Sequence, residues 1–383
     1  MSRDAKATPR VLHLHSTFAA GGKERRAVQL MNAFGKSLQH AVVSAIPGEM
    51  AAAAGIARSV PVSFPADFPS LKGKPLPGRL MRLARAMKPY DLVLTYNWGA
   101  MDAVMAHTMF SDNLHLPPLI HHEDGFNEDE QQRQKRSRIW YRRIALGKAS
   151  GLVVPSELLE EIALTDWQQP MGRVKLIRNG IRTADFARKP RPDALRGIVK
   201  RPGELWVGTM AGLRAVKNLP MLVRAFATLP DEWQLVIVGD GPERDAIRAE
   251  AERLDQAHRV HLPGHAPDPA KVVGLFDIFA LSSHSEQAPI SLIEAMAAGV
   301  PVAAPAVGDI AAMLSDANRP FAVTPGSEVA LAGALRSLAI DPALRTDLGV
   351  ANRKRAVADF DEKQMIATYR RLYSSAMGRP DIA

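Results

Sequence analysis

The chain contains no cysteine, which excludes disulfides, thiolate metal sites and cysteine nucleophiles and agrees with a reducing compartment. It has no run of about 18 apolar residues, so no membrane-spanning helix is expected. The longest uncharged stretch of the core region, residues 295–308, is broken by Gly299, Pro301 and Pro305. The N-terminus has basic residues but no apolar core. Residues 11–15 alternate with histidine as a first strand would, and no signal peptide is expected. No strand pattern is followed by Gly-x-Gly-x-x-Gly, which argues against a nicotinamide-dependent dehydrogenase. A recognisable nucleic-acid-binding module is also missing.

The 383 residues present are enough for two or three domains, each burying its own core. Hydrophobic content of 46% and charged content of 23% are those of an ordinary globular protein. The net charge of +9 is unevenly placed. Residues 1–185 carry 25 Lys and Arg against 17 Asp and Glu, whereas residues 186–383 carry 24 against 23. A basic half beside a neutral half suits a polyanionic partner for the first half: anionic lipid head groups, a diphosphate-linked acceptor, or nucleic acid.

Short runs rich in Val, Ile and Leu alternate with helical patterns along the whole chain. In the first half they are residues 11–15, 41–46, 91–96, 119–123, 151–155 and 174–177. In the second half they are residues 205–210, 234–239, 260–262, 277–281, 300–304 and 321–323. Continuous apolar strands between helices imply parallel sheets covered on both faces. Two such series predict an α/β chain of two Rossmann-like, doubly wound domains. Residues 185–202, with Pro190, Pro192 and Pro202, interrupt the alternation and read as a linker. The last helical pattern, 362–377, presents Met365, Ile366, Tyr369, Leu372, Tyr373 and Ala376 on one face, which must cover something.

The most informative segment contains Glu286 and Glu294, eight positions apart. An apolar strand runs into a short polar loop, and a helix is predicted from Pro289 to Gly299, before the strand that begins at Val300. Proline at a helix start and glycine just past its end follow the usual asymmetry. Glu286 then lies in the loop facing the helix N-terminus, with Glu294 about one turn inside the helix. Unpaired N–H groups and the helix dipole favour a phosphate at that N-terminus. Carboxylates on either side suit the hydroxyls of a sugar and a ribose, so the arrangement reads as a nucleotide-sugar site.

Here the chain resembles the retaining glycosyltransferases of family 4, whose signature is Glu-x7-Glu followed by Ala-Met-Ala-x-Gly-x-Pro-Val. The match runs from Glu286 to Val302. The resemblance implies the GT-B architecture: two Rossmann-like domains facing each other across a cleft, with the C-terminal helix crossing back to the first. On that basis residues 1–185 are expected to form the acceptor-side domain, 186–360 the nucleotide-sugar domain and 361–383 the returning helix. It implies that Glu286 holds donor-sugar hydroxyls and Glu294 the ribose. Helix N–H groups near Ile290 and Ser291 would bind the diphosphate together with Lys217.

Other positions follow the family less closely. The first strand leads into Gly21-Gly22, where the family places paired glycines against the donor phosphates and the acceptor; a plain tight turn is the alternative. The strand ending in His121-His122-Glu123-Asp124 carries imidazoles and carboxylates whose chemistry suits metal binding, acid/base work or hydrogen bonding. Neighbouring strand residues point to opposite faces, so the four cannot converge on one ion. Either His122, or Asp124 in the place where a histidine is usual, is expected to contact the donor sugar. The family pattern Gly-Arg-Leu-x-x-x-Lys, whose cations clamp the diphosphate, is matched by Lys217. Its arginine position is Gly212, however, and Arg214 stands two residues on. Gly241 lies in a turn that the family places near the nucleotide, and residues 261–264 would lie near the base. Asp359-Phe360-Asp361 formally fits the metal-binding Asp-x-Asp, but it immediately precedes the last helix, where aspartate is a good N-cap. No metal and no cofactor are expected beyond the nucleotide diphosphate sugar, UDP- or GDP-linked, as co-substrate.

Two basic amphipathic stretches lie in the first half. One holds Arg79, Arg82, Arg85 and Lys88. The other, residues 131–148, holds seven Lys and Arg and no acid, beside Trp140, Tyr141 and Ile144. Such helices suit an anionic membrane surface. The expected protein is a cytoplasmic glycosyltransferase, peripheral at the inner face of a bacterial membrane. It would transfer sugar with retention to a hydroxyl of a lipid-linked glycan in cell-surface polysaccharide synthesis. The alternative is a non-catalytic nucleotide-sugar- or membrane-binding protein that keeps the fold, motivated by the missing arginine at Gly212.

Overall fold

The computed structural model describes residues 7–19, 21–126, 128–130 and 133–382. The chain divides into two compact units, one drawn from Met1–Arg178 and Met365–Ala383, the other from Asn179–Gln364.

In the first unit the strands are β1 (Arg10–His15), β2 (Gln39–Ser44), β3 (Val62–Ser63), β4 (Leu92–Tyr96), β5 (Leu119–His122), β6 (Gly151–Val154) and β7 (Val174–Leu176). They form one parallel sheet in the order β3-β2-β1-β4-β5-β6-β7. In the second unit they are β8 (Leu205–Met210), β9 (Trp233–Val238), β10 (Val260–Gly264), β11 (Ile278–Ala280), β12 (Val302–Pro305) and β13 (Ala322–Val323). These are again all parallel, in the order β10-β9-β8-β11-β12-β13. Each apolar run predicted from the sequence is a strand, with ends moved by a residue or two. The unanticipated β3 is a two-residue edge strand, too short to make an apolar run.

Both sheets are doubly wound, and both reverse their strand order beside their first strand, at β1/β4 and at β8/β11. Ligands of such sheets bind outside the carboxyl ends of the strands at that reversal. The loops that follow β1, β4, β8 and β11 therefore border the ligand positions of the two sheets.

Burial explains the patterns. Strands β4, β5, β6 and β12 are buried at every position, as interior parallel strands covered on both faces must be. In β1, Leu12 and Leu14 face a core shared with Leu80, Leu83, Ala84 and Met87 of the helix Pro77–Met87. Val11 faces the other side, where Met31 of the helix Gly22–Phe34 meets Tyr369 and Tyr373 of the last helix, Glu362–Met377. That last helix buries Met365, Tyr369 and Tyr373 at four-residue spacing. Asp361 caps its start: Oδ1 accepts the Lys363 N–H at 3.1 Å and Oδ2 accepts the Thr183 hydroxyl at 2.6 Å. The Pro-rich stretch read as a linker is packed rather than free. Phe186 and Leu195 are buried in the second unit's core, and Lys200 Nζ pairs with Asp277 at 2.5 Å.

Candidate active site

In the second unit, Lys217 lies on the loop after β8 and Glu286 on the loop after β11, the two neighbouring strands at the reversal of order. Lys217 Nζ is 2.5 Å from Glu286 Oε1, which also accepts the Ser283 hydroxyl at 2.7 Å. The loops are stitched together: Ser282 Oγ donates to the Lys217 carbonyl and the His284 N–H to the Val216 carbonyl, each at 2.8 Å. From below, the Glu286 loop is held by three contacts. A Cβ on Gly308, which has φ +55°, would lie 2.2 Å from the Glu286 carbonyl oxygen. The Asp309 N–H donates to the Gln287 carbonyl and the Asn179 amide to the Ala288 carbonyl, both at 2.9 Å. The carboxylate direction is thus fixed by neighbours on several elements.

The helix predicted from Pro289 to Gly299 runs Ile290–Ala297, with Pro289 in the N-cap position and Gly299 in the left-handed region at φ +73°. Pro289 itself offers no side-chain acceptor to the first turn. Ile290 and Ser291, half-buried, form the opening of its first turn, and Glu294 is buried one turn in.

Arg214 is exposed, and its side chain folds back over Gly212: a Cβ there would sit 3.6 Å from Arg214 Nε. Among the described residues nothing pairs with the Arg214 guanidinium. Gly241 has φ +157°, and a Cβ on it would lie 2.4 Å from the Leu213 carbonyl oxygen. Its place in the structure is explained by the close approach of the loops after β8 and β9.

In the first unit, Gly21 is the N-cap of the helix Gly22–Phe34, and a Cβ on it would strike Glu24 Oε2 at 2.6 Å. Glu24 is buried and pairs with Lys23; burial pushes its carboxyl up, against the pull of that lysine. One step further along the helix, Arg26 grips Asp124 with both nitrogens, Nη1 to Oδ1 at 2.6 Å and Nη2 to Oδ2 at 2.9 Å. Burial alone would lower the Arg26 guanidinium, but the Asp124 charge outweighs it and raises it above its ordinary value. The glycine loop and Asp124 are therefore joined through one helical turn. Asp124 keeps 12% of its side chain exposed.

His122 is placed differently. Its ring is 1% exposed and stacks on Tyr96 with centroids 4.6 Å apart. Nδ1–H donates to the Thr95 carbonyl at 3.3 Å, which leaves Nε2 to accept the Tyr373 hydroxyl at 3.2 Å. Burial, and next the Arg26 charge, hold it well below the ordinary histidine range. His122 is a neutral core residue tying the sheet to the last helix. His121 and Glu123 turn to the opposite face, 3.6 Å apart, where Glu123 also meets Arg142 at 3.4 Å. The four polar residues diverge, and of the two alternatives weighed for the donor-sugar contact, Asp124 is the one with an exposed edge. Among the described residues no group of three His, Cys, Asp or Glu is arranged to hold a metal ion.

Arg26, Asn97, Asn179, Ser283 and Gly308 escaped the sequence reading. Asn97 before Trp98-Gly99, Asn179 before Gly180, and Gly308 carried a local signal, that of turn formers; Arg26 and Ser283 carried none. The basic helices are also less free than their composition suggests. Arg138 donates to Asp129 and Glu130, Arg142 is buried between Glu123 and Glu130, and Arg79 pairs with Asp102. Trp140 and Ile144, however, are 61% and 57% exposed, with Arg143 stacked 4.8 Å from the Trp140 ring. Among the described residues no helix is long and apolar enough to cross a membrane.

Residues 20–185 match the family described as Glycosyltransferase Family 4, and residues 192–355 match Glycosyl transferases group 1. The chain belongs to glycosyltransferase family 4. This family 4 chain is 28% identical over 166 residues to the N-acetyl-alpha-D-glucosaminyl L-malate synthase of Bacillus anthracis, covering 43% of this chain and 44% of that one. It is 28% identical over 199 residues to the lipopolysaccharide core biosynthesis glycosyltransferase LpsD of Rhizobium meliloti (strain 1021), covering 51% and 57%. The chain thus spans about half the length of these curated relatives. The crystal structure of Anabaena HepE in complex with UDP superposes with a TM-score of 0.77 at 19% identity, over 96% of this chain and 100% of that one. The GT-B fold is shared.

Proposed function

We propose that this family 4 protein is a retaining glycosyltransferase that moves a sugar from a nucleotide diphosphate sugar to a hydroxyl acceptor. The observation that carries the reading is the Lys217–Glu286 pair, set on two loops at the strand-order reversal of the second sheet and beside the start of the helix Ile290–Ala297. Lys217 and Arg214 supply positive charge for the leaving diphosphate, aided by the N–H groups of Ile290 and Ser291. Glu286 accepts hydrogen bonds from the donor sugar and Glu294 from the ribose. In the first unit, Asp124 and the Gly21-Gly22 loop complete the contacts.

In the transfer step the bond between the anomeric carbon and the diphosphate oxygen breaks, and the electron pair leaves with the nucleoside diphosphate. The acceptor oxygen bonds to the same carbon on the same face, and its proton passes to the departing phosphate oxygen. Retention rests on the family resemblance. The side chains described supply position and charge rather than a covalent nucleophile. The reaction is expected to need no divalent cation. Uridine is the favoured nucleotide, since the similar HepE structure holds UDP.

The acceptor is proposed to be a lipid-linked glycan of cell-surface polysaccharide synthesis. Relatives named for lipopolysaccharide core synthesis support this, as does the exposed Trp140 and Ile144 pair on a basic helix. Those side chains would rest on an anionic membrane at its cytoplasmic face. The missing arginine at Gly212 favours one other reading, a donor-binding protein without turnover. Incubation with UDP- and GDP-sugars and bacterial lipid extract, scored by release of nucleoside diphosphate, decides between them. Donor-specific release supports transfer; tight nucleotide binding without release from any donor supports the binding protein.

A further inference from the structure

We propose that Asn97 is a positioning residue, held in a strained backbone conformation in order to fix Asp124 where a sugar hydroxyl can reach it. The inference rests on the reading above, in which Asp124 touches the donor sugar.

Asn97 is the first residue after β4, at the reversal of strand order in the first sheet. Its backbone has φ +55° and ψ −176°, a region essentially reserved for glycine. Two neighbours enforce this geometry. Its N–H donates to the His122 carbonyl at 2.8 Å. Two positions on, Gly99 presses the loop against β1 so closely that a Cβ there would lie 2.4 Å from Ser16 Cβ. Glycine at position 97 would satisfy both constraints without strain. What glycine cannot supply is the side-chain oxygen: Asn97 Oδ1 accepts the Asp124 N–H at 2.9 Å.

One residue therefore grips the strand end twice, by its backbone at His122 and by its side chain at Asp124. Arg26 holds the Asp124 carboxylate from the other side. Each carboxylate oxygen keeps a lone pair beyond the one given to Arg26, and the partly exposed edge can accept from hydroxyls. With its amide and its carboxylate both fixed, Asp124 is pre-organised for a polyhydroxylated ligand rather than free to swing. The strain thus serves a ligand contact, not the core.

The test compares wild type with Asn97→Gly and Asn97→Asp. Asn97→Gly keeps the backbone geometry and removes the acceptor, so its thermal midpoint is expected at or above that of wild type. Hydrogen exchange at the Asp124 amide should quicken roughly fivefold or more, as befits one lost hydrogen bond. Diphosphate release should show kcat lowered by roughly the same factor with the donor KM little changed. Asn97→Asp keeps an acceptor oxygen and should restore slow exchange. Unchanged Asp124 exchange in Asn97→Gly overturns the proposal, as does a collapse of its thermal midpoint or an unchanged kcat beside an active wild type. If wild type turns over no donor, the functional reading fails, while the exchange measurement still decides the link between Asn97 and Asp124.

Discussion

Lys217 Nζ and Glu286 Oε1 stand 2.5 Å apart, although 69 residues separate them along the chain. The contact joins the group expected to bind diphosphate to the group expected to bind the sugar. Their effects on transfer should therefore be coupled rather than additive. Lys217→Met should slow release by about 10²-fold, the scale of losing one charge-stabilising group. Adding Glu286→Gln to Lys217→Met should cost less than Glu286→Gln does alone. A double-mutant cycle on kcat/KM checks this, with a coupling of about 0.5–3 kcal/mol expected; strict additivity would contradict it.

Arg214 should substitute for the arginine that the family carries at Gly212. Gly212 is not in the left-handed region, and a Cβ there meets nothing closer than 3.6 Å, so a side chain fits. Arg214→Ala should raise the donor KM and lower kcat. The double variant Gly212→Arg with Arg214→Ala should recover much of the loss, because it returns the cation to the family position. Steady-state kinetics on both variants would show whether one guanidinium at either place suffices.

Acid should destabilise the first unit. His13 Nε2 is 2.9 Å from His40 Nδ1, and His13 Nδ1 is 3.1 Å from the Tyr96 hydroxyl, in the buried layer that also holds His122. Burial lowers all three histidines; the next contribution comes from His40 for His13 and from Arg26 for His122, and His40 falls to about 4 from an ordinary 6.5. The folded state keeps them neutral while the unfolded chain takes up protons below about 6.5. Their contribution is thus complete above that pH and is lost as pH falls toward 4. Glu24, whose carboxyl is raised by burial, acts in the opposite sense. Urea midpoints should fall from about pH 7 to about pH 4.5, and less so in His40→Asn. A flat wild-type profile would contradict the assignment.

Membrane contact should depend on Trp140 and Ile144. Replacing both with serine should weaken binding to phosphatidylglycerol vesicles and leave turnover of a soluble acceptor unchanged. The surviving electrostatic part, about 1 kcal/mol per cation near the surface, should be sensitive to salt. Binding that is unaffected by the substitutions would place the membrane surface elsewhere.

How much was legible in the sequence follows from distance along the chain. The strands showed because interior parallel strands are apolar at every position, and the Glu286–Glu294 pair because its spacing, proline and glycine lie within one βαβ unit. The choice between His122 and Asp124 was not legible. The two lie on the same face of the strand end, and the difference is that Tyr369 and Tyr373, from the far end of the chain, cover His122 while Asp124 keeps an exposed edge. The Arg26–Asp124 clamp spans 98 residues and follows no spacing rule. Asn97 is a single residue whose meaning lies in a backbone angle. Composition misled at the proline-rich stretch 185–202, which is packed into the second unit, and it overstated the free charge of the basic helices, because acids outside the helix take up Arg138 and Arg142.

The most direct test is the initial rate of nucleoside diphosphate release from the preferred donor by wild type and by Glu286→Ala, with folding of the variant checked by its thermal midpoint. Loss of one charge-assisted hydrogen bond, about 1.5–3 kcal/mol, predicts a rate lower by roughly one to two decades with the fold intact. A folded Glu286→Ala protein that releases diphosphate at the wild-type rate would contradict the account.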